Sequence, residues 1–297
     1  MAVDSAKSAN PESGRASGYH GGAVDTVISV DDVNRQAKAI AETVTSEQIL
    51  GLVEGEPFLR LEQLRAGYGK MEILHGIDLA VGKGQSLCLI GPNGAGKSTI
   101  LHAIFGFCTV FSGKILTAGG GTERDVASLS SSQKLKEAGI AYILQDKSVF
   151  PGMTVEENLW MGGYLMDQPA EAKAAAERVF DKYPRLAERR KHQAKVLSGG
   201  ERRLLEISRA LVMNPDVLLV DEPSIGLEPR FIDMVFEILH DLQHVEGKTI
   251  LMVEQNAKKG LEFADIGYVL VSGELAIAGK GDELLANPDV GRLFLGG

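Results

Sequence analysis

Eight successive residues, Gly91-Pro92-Asn93-Gly94-Ala95-Gly96-Lys97-Ser98, followed by Thr99, have the G-x-x-x-x-G-K-[ST] spacing of a phosphate cradle. Glycines let the backbone close around an anion and turn its N–H groups inward. A helix opening at Lys97 adds the positive end of its dipole. The Lys97 ammonium is expected to reach the terminal phosphates, and the Ser98 hydroxyl to hold Mg²⁺. A second element, Val217-Leu218-Leu219-Val220-Asp221-Glu222-Pro223, ends an apolar run in two carboxylates. Asp221 is expected to help order the metal's shell. Glu222, one residue further on, could orient and deprotonate an attacking water. A solvated acidic pair at a strand end is the plain alternative, and the upstream cradle argues against it.

Leu197-Ser198-Gly199-Gly200-Glu201-Arg202-Arg203 offers a second anion-binding helix start. Ser198 and Glu201 have the spacing of a capping box, and Leu204, Ile207 and Leu211 form the apolar stripe of the helix that follows. A cap alone does not need paired glycines. They let an anion approach the backbone N–H groups.

These residues need a frame. Short apolar runs at Gln85–Ile90, Ile140–Leu144, Val217–Val220 and Thr249–Val253 fit strands buried on both faces of a parallel sheet. Helical stretches between them predict an α/β fold. Each run ends in polar or glycine-rich sequence: Gly91, Gln145, Asp221–Glu222 and Glu254–Gln255. Parallel α/β sheets bind ligands at the carboxyl ends of their strands, so four strand ends converge on one edge. No internal repeat is visible, which gives one such unit.

Composition sets outer bounds. The chain has 297 residues, 44% apolar and 24% charged, as a soluble globular protein would. A net charge of −9 argues against a nucleic-acid coat. No apolar run approaches the roughly 20 residues that span a bilayer, and the first residues lack a secretory h-region. Cys88 and Cys108 form no metal or disulfide pattern and read as buried thiols in a reducing compartment, which places the chain in the cytoplasm. Residues 1–30 are rich in Gly, Ser, Ala and Asn and are expected to be disordered. Val33, Ala37, Ile40 and Val44 have helical spacing, either as an amphipathic helix for a partner or as a weakly ordered linker. The expected boundary is an extension over 1–56 and a single domain over 57–297.

From about Phe58 to the C-terminus the chain resembles an ATP-binding cassette (ABC) subunit. The likeness rests on the phosphate cradle, Gln145, the Leu-Ser-Gly-Gly-Glu signature, the Asp221–Glu222 strand and the turn after it. It implies a P-loop NTPase of the ABC type, with a mixed-sheet core, an antiparallel β subdomain and a helical subdomain over about 146–196. ATP and Mg²⁺ are the implied cofactors, and ATP hydrolysis coupled to transport the implied activity. In that family the signature of one subunit closes over ATP held by the phosphate loop of another. Ser198, Gly199 and Gly200, with Glu201, would then meet a partner's nucleotide. Gln145 would bind Mg²⁺ and the attacking water, and Tyr68 would stack on adenine unless it serves the core.

Two positions depart from the family pattern. Glu228 stands in the turn Ser224-Ile-Gly-Leu-Glu228 where most members carry Asp, which puts that turn's cross-subunit contact in question. Gln255 stands where most carry a switch His. Glutamine can donate to a γ-phosphate but cannot become charged. Charge-assisted bonds are about twice as strong, so turnover about ten-fold slower is expected.

Phe150–Leu159 resembles the start of the helical subdomain in transporter cassettes. Its surroundings concentrate Met153, Trp160, Met161, Tyr164, Leu165 and Met166, which suits either a groove for a partner's helix or a local core. Val253-Glu-Gln-Asn-Ala257 and the ending Ala286-Asn-Pro-Asp-Val290 through Phe294–Gly297 are similar to one ATPase subunit of branched-chain amino-acid importers, whose relatives take urea or amides. That likeness implies a second, different ATPase subunit, a homodimer remaining open. It also implies membrane permeases, indirectly a substrate-binding protein, no nucleic acid, and a peripheral place on the inner face of the cell membrane. The extension of about 55 residues is unusual in that branch. A lipopolysaccharide-export cassette shares Leu-Ser-Gly-Gly-Glu-Arg-Arg, but Gln255 counts against it. A soluble DNA-repair or translation cassette would carry coiled-coil insertions or two cassettes, and an intact Glu222 opposes a non-hydrolysing regulatory subunit.

Overall fold

A computed structural model describes residues 44–119, 122–145 and 148–295. The low-complexity stretch 1–30 and all but the last residue of the Val33–Val44 pattern lie outside the described residues. Two sheets carry the fold. The first is antiparallel, with β1 (Pro57–Tyr68), β2 (Met71–Gly82), β4 (Thr109–Thr117) and β5 (Arg124–Asp125) in the order β2-β1-β4-β5. The second has the order β10-β9-β3-β8-β7-β6, from β3 (Ser86–Ile90), β6 (Ile140–Ile143), β7 (Val217–Asp221), β8 (Thr249–Val253), β9 (Ile266–Val271) and β10 (Glu274–Lys280).

The four apolar runs all become strands of this second sheet. β3, β7 and β8 are buried at every position, as continuous runs covered on both faces must be. They pair in parallel with one another and with β6 and β9, and only β10 runs antiparallel, which makes the sheet mixed. Three strand ends differ from the sequence reading. Gln85 precedes β3, its N–H turned back to the Gly82 carbonyl and its Oε1 accepting from the backbone N–H groups of Gly82 and Glu54. Leu144 follows β6, its carbonyl taken by Arg203 Nη1. Asp221 belongs to β7, paired with Val253.

Side chains alternate across β3 and so feed two cores. Leu87 and Leu89 face the antiparallel sheet and helix α2 (Lys97–Phe105), where they meet Leu59, Leu79, Ile100 and Ile104. Cys88 and Ile90 face the other side with Val220, Met252 and Ile207, the last on α7 (Gly199–Leu211). Helix α8 (Pro229–His244) closes that face with Val235, Leu239 and Leu242. A third cluster lies among helices, with Val155 and Leu159 of α4 (Val155–Gly162), Phe180 of α5 (Pro169–Lys182), Leu186 of α6 (Pro184–Glu188) and Leu204 of α7. The remaining helices are α1 (Ser46–Gly51), α3 (Ser131–Ala138), α9 (Ala257–Phe263), α10 (Gly281–Ala286) and α11 (Pro288–Phe294).

Residues just ahead of position 57 are tied to the domain. A Thr45–Gln48 capping box starts α1, Ile49 is buried in the core beneath the antiparallel sheet, and Gln85 Nε2 donates to the Leu52 carbonyl.

Candidate nucleotide site

β3 delivers the chain to Gly91 at the carboxyl edge of the second sheet. Gly91, Gly94 and Gly96 have φ of 143°, 82° and 101°. A Cβ at Gly91 would stand 2.2 Å from the Leu270 carbonyl oxygen, and one at Gly96 would stand 2.9 Å from Leu74 Cδ2. The loop thus needs glycine both for its turns and for close contact with β9 and β2. Gly96 caps α2 without a side-chain hydrogen bond, which leaves the first N–H groups of a nine-residue helix for an anion. Lys97 lies back across the loop, its Nζ donating to the carbonyls of Gly91 at 2.8 Å and Pro92 at 3.0 Å. Burial lowers its pKa, opposed by the Glu222 and Asp221 carboxylates.

The metal-type ligands converge from three elements. Ser98 Oγ donates to Asp221 Oδ1 at 2.9 Å, and the Tyr142 hydroxyl on β6 donates to Asp221 Oδ2 at 2.8 Å. Gln145, just past β6, donates through Nε2 to Glu222 Oε2 at 2.9 Å. Glu222 stands in the left-handed region at φ 42°, its N–H bound to the Val253 carbonyl at 2.8 Å. Burial pushes the Glu222 carboxyl up, with Asp221 and Glu254 adding to the rise and Lys97 opposing it. A hydroxyl, a carboxylate and an amide oxygen beside a phosphate cradle are hard oxygen donors that fit Mg²⁺. Among the described residues no cluster of three His, Cys, Asp or Glu suits a metal held by protein groups alone, and a Mg²⁺ held partly by substrate phosphates needs none.

Tyr68 is 43% exposed, so it does not serve the core. Its hydroxyl meets His102 Nδ1 at 2.5 Å, and the two rings sit edge to face with centroids 6.1 Å apart. His102 in turn contacts the rings of Phe107 and Tyr142, so a chain of rings runs from Tyr68 to the partner of Asp221.

The signature forms the helix start read from its spacing. Ser198 Oγ accepts from the Glu201 N–H at 3.3 Å, and the Glu201 carboxylate accepts from the Ser198 N–H at 2.9 Å. Arg189 sits 3.4 Å from Glu201. The Glu201 carboxylate is thereby committed to its own helix. Gly199 is exposed, whereas Gly200 is packed on Phe231 of α8. Gly199 lines a cleft of about 700 Å³ with Gln145, Arg202, Ile225, Gly226 and Leu227, and no phosphate-loop residue shares it. The cleft beside the signature thus reaches the candidate site only through Gln145, which donates to Glu222. Gln255 is exposed at the end of β8, its carbonyl accepting from Ala257. Glu228 pairs with Arg230 at 3.1 Å.

The apolar residues around Phe150 divide. Val155 and Leu159 are buried in the helical core, with Trp160 and Met166 against it. Phe150, Met161, Tyr164 and Leu165 line a groove of about 370 Å³ with Tyr142 and Arg209.

The contacts of three residues escaped the sequence reading. Tyr142 was legible as a phenol inside an apolar run, and Glu254 as an acid at a strand end. His102 gave no signal beyond its place on the helix after the cradle.

Fold and site together define an ATP-binding cassette. Residues 74–225 match the ABC transporter family. BraG of Pseudomonas aeruginosa, a high-affinity branched-chain amino acid transport ATP-binding protein, is 41% identical over 80% of this chain and 100% of its own length. The probable branched-chain amino acid transport ATP-binding protein LivF of Archaeoglobus fulgidus is 40% identical over 80% and 98%. The ADP conformation of MJ1267, an ATP-binding cassette of an ABC transporter, superposes with a TM-score of 0.70 at 28% identity, over 82% of this chain and 100% of that one. The chain belongs to the ABC transporter family, as one of its ATPase subunits. No helix among the described residues is long and apolar enough to cross a membrane.

Proposed function

We propose that the chain is the ATPase of an importer for branched-chain amino acids or a related small polar solute such as urea or an amide. The supporting observation is the identity of 41% and 40% to BraG and LivF along nearly their whole length, against 29% to the lipopolysaccharide export protein LptB of Haemophilus influenzae. The subunit would sit peripherally on the inner face of the membrane. It would pair with a second, different ATPase beneath two permeases fed by a substrate-binding protein. A permease helix would enter the groove at Phe150 and Met161.

Residues 91–99 would hold the phosphates of ATP, and Tyr68 would carry the adenine ring. Ser98, Asp221 and Gln145 would hold Mg²⁺, which neutralises charge on the phosphates when bound. Glu222, with its carboxyl raised by burial, takes the proton of the attacking water that Gln145 helps to orient. Gln255 donates a neutral hydrogen bond to the γ-phosphate, so turnover is modest. Ser198, Gly199 and Gly200 close over the nucleotide of the partner subunit. The domain proper is assigned to 57–297, its helical part to about 146–196.

The test is capture of tagged Glu222→Gln chain with MgATP from detergent-solubilised host membranes. Hydrolysis should fall at least about a hundred-fold, and two polytopic membrane proteins with a second ATPase should be recovered. Undiminished hydrolysis would remove Glu222 as the base. Soluble partners alone would point to a cassette outside transport.

A further inference from the structure

Glu254 lies between β8 and Gln255 and is 2% exposed. A buried carboxylate is costly unless its oxygens are met by donors or a cation. Here Oε1 accepts from Ser224 Oγ at 2.6 Å and from the Asn256 N–H at 3.0 Å, and Oε2 accepts from the Ser224 N–H at 3.4 Å. Among the described residues no ion pair joins it. These bonds serve two segments at once. Ser224 opens the turn after Glu222, whose tip carries Ile225, Gly226 and Leu227 into the cleft beside Gly199. Asn256 follows Gln255 and caps α9, its Oδ1 accepting from the Lys259 N–H at 3.1 Å. Gln255 thus stands between two anchored neighbours.

The same strand ends are joined one position earlier by the Glu222 N–H to the Val253 carbonyl. Glu222 at φ 42° occupies a conformation costly for a side chain with a Cβ, and such a conformation persists only where its surroundings over-determine it. Two cross-strand ties, one at Glu222 itself and one two residues later at Ser224, the latter a short charge-assisted bond, supply that determination.

We propose that Glu254 is a positioning residue that couples the Ser224–Glu228 turn to Gln255, so that ordering of Gln255 by a γ-phosphate is transmitted to the turn in the signature cleft. The proposal rests on the reading of Gln255 as the γ-phosphate donor. Glu254 need not touch the nucleotide. Its carboxylate is the shared part, and loss of the Ser224 bond should uncouple the two segments without unfolding either.

Backbone hydrogen exchange tests it in full-length Glu222→Gln chain with and without MgATP. In that parent, MgATP should slow exchange at 254–257 and at 224–228, each by about five-fold or more. Adding Ser224→Ala should keep the slowing at 254–257 and lose it at 224–228. Ser224→Thr, which retains the hydroxyl, should restore it. Slowing of both segments unchanged in Ser224→Ala overturns the coupling while leaving the catalytic reading intact. No slowing at 254–257 in the parent removes the reading of Gln255, and the coupling with it.

Discussion

The side-chain amide of Gln145 donates to a carboxylate oxygen of Glu222 at 2.9 Å, and so joins the ends of β6 and β7 at the site. Glu222 can act as a base only when ionised, and burial with the Asp221 and Glu254 charges raises its pKa. Hydrolysis should therefore fall as pH drops through a value above the usual glutamate range. A donor to the carboxylate favours its ionised form, so Gln145→Ala should move this acidic limb higher still. Profiles of kcat from roughly pH 5 to 8 read both effects. A limb at the ordinary glutamate value in the parent chain would contradict the first.

Adjacent glycines of the signature should separate fold from function. A Cβ on Gly200 would come within 2.1 Å of the Phe231 ring, whereas one on Gly199 meets nothing nearer than Leu227 Cδ2 at 3.9 Å. Gly200→Ala is expected to cost about 1–3 kcal/mol by forcing α7 from α8. Gly199→Ala should change stability by less than about 1 kcal/mol, because alanine is the better helix former. Its defect should appear only in ATP-dependent association with a second ATPase subunit. Urea unfolding beside size-exclusion chromatography in MgATP distinguishes the two. Equal destabilisation by both variants would refute the packing argument.

Lys134 on α3 is fully buried, with Nζ donating to the Ala103 carbonyl at 3.3 Å near the end of α2. Burial lowers its pKa from 10.5 to about 8, against the smaller effects of Cys108 and Asp125. Between those two values the unfolded chain keeps a proton that the folded chain has released, so this group makes stability rise with pH across that window. Below about pH 8 the cost of the buried charge is present in full. Lys134→Met should accordingly be more stable than the parent by about 1–3 kcal/mol at neutral pH. The gain should shrink as pH passes through the window. Thermal midpoints at several pH values would show it, and a gain independent of pH would exclude the cause given.

The elements that carry the site were legible because their signals are local. Four continuous apolar runs are enough to predict strands covered on both faces, and each became one, three of them with one end shifted by a residue and Thr249–Val253 with none. β9 is equally continuous and buried, yet no chemical motif ends it, so it drew no notice. The Ser198–Glu201 cap could be read because both partners lie within one helical turn. Spacing likewise showed the phosphate cradle, since its glycines and Lys97 act through one short stretch of backbone.

Contacts between distant residues were beyond such reading. Tyr142 reaches Asp221 across 79 positions, Glu254 reaches Ser224 across 30, and His102 meets Tyr68 across 34. Nothing in the local pattern says that Gly200 lies on an aromatic ring while Gly199 faces the cleft, or that the Glu201 carboxylate is engaged beside Arg189. The sequence by itself determined which residues form the glycine-rich loop and the candidate site, and which strand ends bring them to one edge, because periodicity and motif spacing act within a few residues. Only the tertiary structure decided which side chains hold those residues in place, because strand order and helix packing set which remote segments meet.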